Sequence, residues 1–160
     1  MIRKCSTLDE EAVFRVINEA AKAYRGVIPD DRYHEPYMSL EELRKEMGEM
    51  TFFGYEKLGR LVGVAGWQKV KDVTLIRHAY VLPDHQRRGI GTELLNHIIR
   101  ASKTPQILVG TWKAATWAIS FYEKHGFKLL PNTDELLRNY WTVPDRQIEL
   151  SVVLGTTKPP

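Results

Sequence analysis

The spacing of apolar residues predicts alternating short strands and amphipathic helices. Residues 2–6 form an apolar-alternating strand, and Thr7 with Glu10 fits a capping box that would begin a helix. In that helix the apolar residues recur at intervals of three and four, so they share one buried face. They are Val13, Val16, Ile17, Ala20 and Tyr24. Ser39 and Glu42 form a second capping box, and the helix after it carries Leu40, Leu43, Met47 and Met50 on its apolar side.

Shorter apolar runs separated by turns predict the rest of the fold. Strands at residues 51–57 and 60–69 form a hairpin, and the strand at residues 73–82 is apolar on both faces, which is typical of a central strand. The elements expected after it are a helix at 89–102, a strand at 105–112, a helix at 115–125, a strand at 127–130, a short helix at 134–140 and a strand at 147–154. This order predicts an α/β fold with a mixed central β-sheet flanked by helices.

Composition narrows the class of protein. A chain of 160 residues that is 43% hydrophobic and 27% charged is expected to form a single domain, residues 1–160. The net charge of +3 is spread along the chain without a basic block, which argues against a nucleic-acid partner. Cys5 is the only cysteine, so an intramolecular disulfide is excluded, and we interpret it as a core side chain rather than a reactive thiol. No apolar stretch suits a signal peptide or a membrane span, so we expect a cytoplasmic protein without a membrane partner.

A glycine-rich junction joins the central strand to the helix at 89–102. The first amides of a helix have no partner within it, and the helix dipole adds positive potential, so an anionic pyrophosphate fits there. Gly89 and Gly91 allow close approach to the backbone, while Arg87 and Arg88 add positive charge. Pro83 would end the strand's hydrogen bonding and part it from a neighbour. By spacing alone the junction could also be an ordinary loop, but it matches neither a phosphate loop nor a dinucleotide fingerprint.

The junction resembles the GNAT superfamily of N-acetyltransferases. Its residues 86–91 read Gln-Arg-Arg-Gly-Ile-Gly, similar to the family motif Gln/Arg-x-x-Gly-x-Gly/Ala, and residues 81–84 are similar to the family's Val-x-Pro-x lead-in. The resemblance implies acetyl-CoA as cosubstrate, with Ala79, Tyr80 and Val81 at the pantetheine arm. It places the pyrophosphate at Arg87, Arg88, Gly89, Ile90, Gly91 and Thr92. The amide of Val81 would polarise the thioester carbonyl.

The helix at 115–125 is similar to a second part of the family pattern, in which an aromatic pair precedes a Gly-Phe dipeptide. Phe121 and Tyr122 occupy the pair, so the resemblance makes Tyr122 the general acid. A phenol suits this role because it stays protonated at neutral pH and can donate to the departing thiolate. The alternative is a core tyrosine on an apolar stripe. Ala115 stands where one form of the pattern has asparagine, and the candidates to replace that contact are Lys113, Thr116 and Ser120.

The general base and the acceptor are less determined by the sequence. His78 has a suitable titration range, but strand alternation places it on the face opposite Val81 unless a bulge intervenes, and a structural histidine is the alternative. Glu35 and Glu56 are the other candidates, each also a plausible surface charge. The loop at residues 30–38 carries three acids and two tyrosines, which suit a cationic amine, although an ordinary polar loop explains it equally well.

The function predicted is an acetyl-CoA-dependent N-acetyltransferase that acts on an amine of a small molecule or peptide. A non-catalytic acyl-CoA-binding or sensing module is the main alternative, and a nucleic-acid-binding domain ranks last. The histidines are scattered and the lone cysteine completes no ligand set, so no metal is expected. A homodimer is possible.

Overall fold

The computed structural model describes residues 1–158. Its strands are β1 Ile2–Lys4, β2 Thr51–Lys57, β3 Arg60–Val70, β4 Val73–Val81, β5 Gln106–Trp112, β6 Lys128–Leu129 and β7 Ser151–Thr157. Its α-helices are α1 Glu10–Ala21, α2 Leu40–Glu49, α3 Ile90–Ala101, α4 Thr116–Lys124, α5 Thr133–Tyr140 and α6 Asp145–Glu149. All seven strands form one sheet in the order β1-β2-β3-β4-β5-β7-β6.

The sheet is mixed, as the sequence predicts. The pair β4 and β5 is parallel, whereas the other neighbouring strands are antiparallel. Strand β4 is the fourth of the seven, so the apolar run at residues 73–82 is correctly predicted to be central. The fold class predicted from the sequence is confirmed.

Helices cover both faces of the sheet. On one face, Leu94 and Ile98 of α3 pack with Phe127 and the inward side chains of β5. On the other face, Val16 of α1 and Leu43 of α2 pack against β2 and β3. Helices α5 and α6 enclose a separate apolar cluster beside β5 and β7. Because both faces are covered, β3, β4 and β5 are buried and apolar along much of their length.

Two predictions for the chain ends are wrong in detail. The first capping box uses Ser6 and Asp9, not Thr7 and Glu10: the Asp9 carboxylate accepts from the Ser6 amide at 2.8 Å. Arg3 holds that carboxylate through two hydrogen bonds of 2.9 and 2.8 Å, which explains the choice of Asp9. Residues 147–154 are not one strand, because α6 occupies Asp145–Glu149 before β7 begins.

Strands β4 and β5 separate towards their carboxyl ends. They pair from Val73 with Gln106 to Ile76 with Val109 and no further, while β4 continues beside β3. A β-bulge follows directly, since His78 and Ala79 both lie opposite a single residue of β3. The predicted split therefore exists, but it begins at this bulge rather than at Pro83. Pro83 only ends the pairing with β3, whose last hydrogen bond joins the Leu82 amide to the Val62 carbonyl.

Cys5 lies half-buried beside Gly54, with its sulfur 3.0 Å from the position of a Cβ there. Burial, with a smaller contribution from the charge of Asp9, raises the pKa of its thiol to about 11. A core-filling thiol of this kind is unreactive at neutral pH. Among residues 1–158, no helix is both long and apolar enough to cross a membrane.

Candidate functional site

The split between β4 and β5 opens into a cavity of about 640 Å³ bounded by β4, α3 and α4, here called the α3 cavity. Most of the site residues predicted from the sequence line it. They are Ala79, Tyr80, Val81, Arg87, Gly89, Ile90, Gly91, Thr92 and Tyr122. Arg88 is exposed and does not line the cavity, and His78 lies in a different cavity. Residues separated by more than forty positions in the chain are thus brought into one cleft.

The backbone before α3 has the geometry of an anion site. The amides of residues 87–92 donate to no acceptor in the described part of the chain. Arg87 and Gly89 both adopt positive φ, at 63° and 82°, with Arg88 between them. Alternation of this kind turns successive amides towards a common point, and the strain at a non-glycine residue is typical of functional sites. These amides and the dipole of α3 suit a phosphate group.

Gly91 determines how closely α4 approaches this turn. A Cβ at Gly91 would lie 3.4 Å from the ring of Phe121, so the absence of a side chain keeps α3 and α4 close without a clash. Larger side chains at this position would project into the α3 cavity, which Phe121 also lines.

The amide of Val81 faces the split. The Leu82 amide donates to Val62 on β3 at 2.8 Å, and amide directions alternate along an antiparallel strand, so the intervening Val81 amide points away from β3. On that side β5 no longer pairs with β4. The Val81 carbonyl, which points the same way, accepts from the side-chain amide of Gln86 at 3.2 Å. One free N–H group therefore remains on the open edge of β4.

Tyr122 enters the same cavity from α4. Its side chain is 6% exposed and packs against the rings of Phe121 and Phe127, at centroid distances of 5.2 and 5.5 Å. Its hydroxyl makes no hydrogen bond with any other residue between 1 and 158. Burial, and then the nearby Tyr24, raise the pKa of the phenol well above its usual value. The group is a protonated donor without a hydrogen-bond partner in the described part of the chain.

His125 connects α4 to the first turn of α3. Its Nδ1 lies 2.7 Å from the carbonyl oxygen of Phe121, and its Nε2 lies 3.0 Å from the hydroxyl of Thr92. Since a carbonyl only accepts, Nδ1 carries the proton. His125 and Thr92 both line the α3 cavity.

A second cavity of about 830 Å³, here called the α2 cavity, lies on the opposite face of β4. The bulge places Arg77 and His78 together on this face, and His78 adopts a positive φ of 56°. Both side chains contact Glu46 of α2: Arg77 donates to its Oε1 at 3.2 Å and His78 Nε2 donates to it at 3.3 Å. The ring of Phe52 stacks on His78 with centroids 6.0 Å apart. His78 remains on the face opposite Val81, as alternation predicts.

Glu46 is a buried carboxylate, 9% exposed. Burial disfavours its charged form, but the hydrogen bond from His78 and the charges of Arg77 and His78 outweigh burial and lower its pKa. It is therefore ionised at neutral pH and fixes Nε2 of His78 as a donor. In the neutral imidazole the opposite ring nitrogen, Nδ1, is then left as an acceptor.

Tyr24 and Tyr80 line both cavities and separate them. Their hydroxyl oxygens lie 3.5 Å apart, and Tyr24 also stacks on Trp117 with ring centroids 6.0 Å apart. Burial raises the pKa of both phenols. Tyr37, whose hydroxyl accepts from the indole of Trp112 at 2.8 Å, continues this aromatic wall into the α2 cavity.

Several sequence candidates lie elsewhere. Glu35 pairs with Arg25 and Glu56 pairs with Arg3, and neither lines the two cavities. The proposed replacements for asparagine, which are Lys113, Thr116 and Ser120, do not line the α3 cavity. The loop at residues 30–38 does reach the α2 cavity, through Asp31, Arg32, His34, Tyr37 and Met38. Asp31, however, already pairs with Arg146 at 3.2 Å.

Sequence reasoning missed Glu46 and His125, and it included Gln86 in the motif without assigning it a contact. Glu46 had a detectable signal, since it lies three residues after Leu43 on the apolar side of α2, where a charge needs a partner. His125 had none, because its contact with Thr92 joins residues 33 apart. Within the described residues, no three histidine, cysteine, aspartate or glutamate side chains come together as a metal site.

Comparison with known proteins agrees with this geometry. Residues 7–142 match the family model of the acetyltransferase (GNAT) domain. The chain is 31% identical over 122 residues to the [ribosomal protein bS18]-alanine N-acetyltransferase of Escherichia coli K12, covering 72% of this chain and 78% of that protein. It is also 33% identical over 104 residues to the UPF0157 protein YqkA of Bacillus subtilis, covering 62% of this chain but only 30% of that longer protein.

The fold is also similar to that of a solved N-acetyltransferase. The crystal structure of the PaiA N-acetyltransferase of Thermoplasma acidophilum in complex with coenzyme A superposes with a TM-score of 0.76 at 21% identity, covering 98% of both chains. Because the family model spans most of the sequence, the resemblance found at the glycine-rich junction is confirmed. The chain belongs to the GNAT acetyltransferase family, whose cosubstrate is acetyl-CoA.

Proposed function

We propose that this chain transfers the acetyl group of acetyl-CoA to an amine, with acetyl-CoA in the α3 cavity and the amine entering from the α2 cavity. The observation that carries the proposal is that the two cavities lie on opposite faces of β4 and share Tyr24 and Tyr80. A thioester bound along β4 and an amine arriving from the other face would meet beside Val81. Holding both reactants there replaces a bimolecular encounter with a positioned one.

The α3 cavity fits acetyl-CoA. The unpaired amides of residues 87–92 would hold the pyrophosphate, with Arg87 adding charge. The open edge of β4 at residues 79–81 would pair with the amides of the pantetheine arm as an added strand does. The bound cosubstrate supplies an activated thioester.

Val81 and Tyr122 act at the two ends of that thioester in this proposal. The Val81 amide, free on the open side of β4, would donate to the carbonyl oxygen as negative charge develops on it. Tyr122, protonated and without a hydrogen-bond partner among residues 1–158, would donate its proton to the departing thiolate sulfur. The resulting phenolate would regain a proton from solvent when the products leave.

His78 is the proposed base. Glu46 holds Nε2 as a donor, so Nδ1 has a lone pair for the ammonium proton. His78 and Tyr80 share one face of β4 and are two residues apart, about 7 Å along a strand, so the proton would pass through a water molecule. The amine then attacks with a free lone pair.

The acceptor is an amine of a small molecule or a peptide. The E. coli relative acts on the alanine of a ribosomal protein, which favours a peptide α-amine. Aromatic rings at the junction of the cavities suit an ammonium group by cation–π contact. The proposal places the reaction in the cytoplasm, where acetyl-CoA is available. The possible homodimer stays a prediction.

The first test is titration calorimetry of acetyl-CoA into the wild type and into Gly91→Leu. Leucine at this position would fill the cavity, since its Cβ already lies 3.4 Å from Phe121. Gly48→Leu is the matched control, because Gly48 has open space around its Cβ position. We expect micromolar binding by the wild type and the control and none by Gly91→Leu.

The second test is release of free thiol from acetyl-CoA in the presence of a panel of small amines and peptides that begin with alanine. Turnover by the wild type supports the proposal. Binding without turnover of any amine would instead support the non-catalytic acyl-CoA-binding alternative, which no feature of the geometry favours. Absence of acetyl-CoA binding would overturn both.

A further inference from the structure

His125 lies between two helix ends with opposite electrostatic character. It follows the last residue of α4, where unpaired carbonyls and the helix dipole favour positive charge. Its Nε2 meets Thr92 in the first turn of α3, where the free amides favour negative charge. A proton on His125 would therefore be stabilised by the carbonyl of Phe121 on one side and by an anion bound at α3 on the other.

The hydrogen-bond roles of Thr92 depend on that proton. When His125 is neutral, Nδ1 donates to Phe121 and Nε2 accepts the hydroxyl hydrogen of Thr92. The threonine oxygen then presents only lone pairs to the α3 cavity, and these repel a phosphate oxygen. When His125 is protonated, Nε2 donates to that oxygen and the hydroxyl hydrogen is free to turn towards the cavity.

We infer that His125 is a positioning residue that couples cosubstrate binding to proton uptake: protonation of its Nε2 releases the Thr92 hydroxyl to donate to the pyrophosphate. This inference rests on the proposed function, since it takes the pyrophosphate to bind at the first turn of α3. One proton moves from solvent to Nε2, and no covalent bond is made or broken apart from that N–H. The bound state gains a hydrogen bond from Thr92 and a positive charge beside the phosphates.

The residues around His125 do not neutralise the positive charge of its protonated ring, so this charge is available to a ligand. Within residues 1–158, no carboxylate lies within 4.0 Å of the His125 nitrogens, and none lines the α3 cavity. The other titratable groups of the lining are Tyr24, Tyr80, His85, Arg87, Tyr122 and Lys124. Of these only His85 is, like His125, a histidine. His85 must therefore be distinguished from His125 by experiment.

The test uses 3′-dephospho-coenzyme A, whose pyrophosphate does not titrate near neutral pH. Calorimetric titrations in buffers of different ionisation enthalpy give the number of protons taken up on binding. For the wild type we expect uptake approaching one proton at mildly alkaline pH and a dissociation constant that rises with pH. When the uptake of one proton is linked to binding, the dissociation constant can rise by at most about tenfold per pH unit.

Three variants separate the possible sources of the proton. In Thr92→Val the hydroxyl is lost, so binding should be weaker and the proton uptake should fall below the wild-type value. In His125→Gln the amide cannot take up a proton, so the dissociation constant should be nearly independent of pH. In His85→Gln the uptake should remain. Nuclear magnetic resonance of the histidine ring protons in the wild type should show His125 becoming protonated when the ligand is added.

Two outcomes would overturn the inference alone: wild-type binding without proton uptake, or uptake that persists in His125→Gln and disappears in His85→Gln. Absence of any binding by the wild type would overturn the proposed cosubstrate site and this inference with it. The ring-proton measurement needs no variant, so the inference stays testable if His125→Gln fails to fold.

Discussion

Replacement of Tyr122 by phenylalanine tests the acid in the proposed mechanism. The ring stays in place against Phe121 and Phe127, so the packing of α4 should be unchanged. The lost hydroxyl has no hydrogen bond to another described residue, so its removal leaves no protein group unpaired. We expect the free energy of unfolding to change by no more than about 0.5 kcal/mol.

The effect on turnover should be much larger. Positioned acids contribute about 10²- to 10⁴-fold to rates, which corresponds to roughly 3–5 kcal/mol in the activation free energy. The thiolate would then leave without a protein donor, so kcat should fall by this factor. Affinity for acetyl-CoA should stay near the wild-type value, because the hydroxyl is proposed to act only as the thiolate departs.

The assay is steady-state thiol release beside calorimetric binding and thermal unfolding of the same preparations. Tyr55→Phe is the matched control, because Tyr55 is on β2 and lines neither cavity. A kcat within threefold of the wild type for Tyr122→Phe would refute the assignment and return Tyr122 to the role of a core side chain. An equal fall in the Tyr55→Phe control would have the same meaning.

Three further predictions concern the base, the fold at low pH and the core. His78→Gln should lower kcat about a hundredfold, because the ammonium proton of the amine would lose its acceptor. Asp9→Asn should make the free energy of unfolding less dependent on pH in acid. The hydrogen bond from Arg3 lowers the Asp9 pKa from 3.8 to about 2, so the stability that this pair contributes above pH 3.8 is lost as the pH falls through 2. Gly63→Ala should lower the free energy of unfolding, measured by urea denaturation, by about 1–3 kcal/mol, since the new Cβ would lie 2.9 Å from Ile90 Cγ2.

Each of these has a direct check. Retention of the wild-type kcat in His78→Gln would exclude the base, and Glu46→Gln should also lower kcat if Glu46 orients the ring. If Asp9→Asn loses stability below pH 4 just as the wild type does, the pair of Asp9 with Arg3 contributes little to the stability of the fold. Gly48→Ala is the control for Gly63→Ala, because its open surroundings should instead give a gain of about 0.5–1 kcal/mol.

The sequence predicts most elements correctly because their patterns are local. Periodicity places α2, α3 and α4 within one or two residues of their bounds, and apolar runs locate β2 to β5, whereas α1 ends at Ala21, three residues before the predicted apolar position Tyr24. It misplaces the last strand, since α6 begins after Pro144, whose carbonyl accepts from the amides of Gln147 and Ile148. A short apolar run near the chain end fits helix and strand equally well, and only the pairing of β7 with β5 decides between them.

The candidate site was likewise predictable from the sequence only in part. The motif at residues 86–91 identifies the cosubstrate through its resemblance to the GNAT family, whereas the free amides of a glycine turn before a helix indicate only an anion site. The sequence by itself therefore determined the family, the cofactor class and the candidate acid. It could not determine the bulge that puts Arg77 and His78 on one face, because pairing register is a property of two strands.

Only the tertiary structure decided which residues meet across the sheet. Glu46 reaches His78 from 32 residues away and His125 reaches Thr92 from 33, and no local pattern records contacts at such separation. The two cavities and the tyrosines they share likewise depend on how α1, α3 and α4 pack on opposite faces of β4. Local chemistry specifies the elements and the phosphate-binding turn, whereas the partners of each titratable group are set by packing.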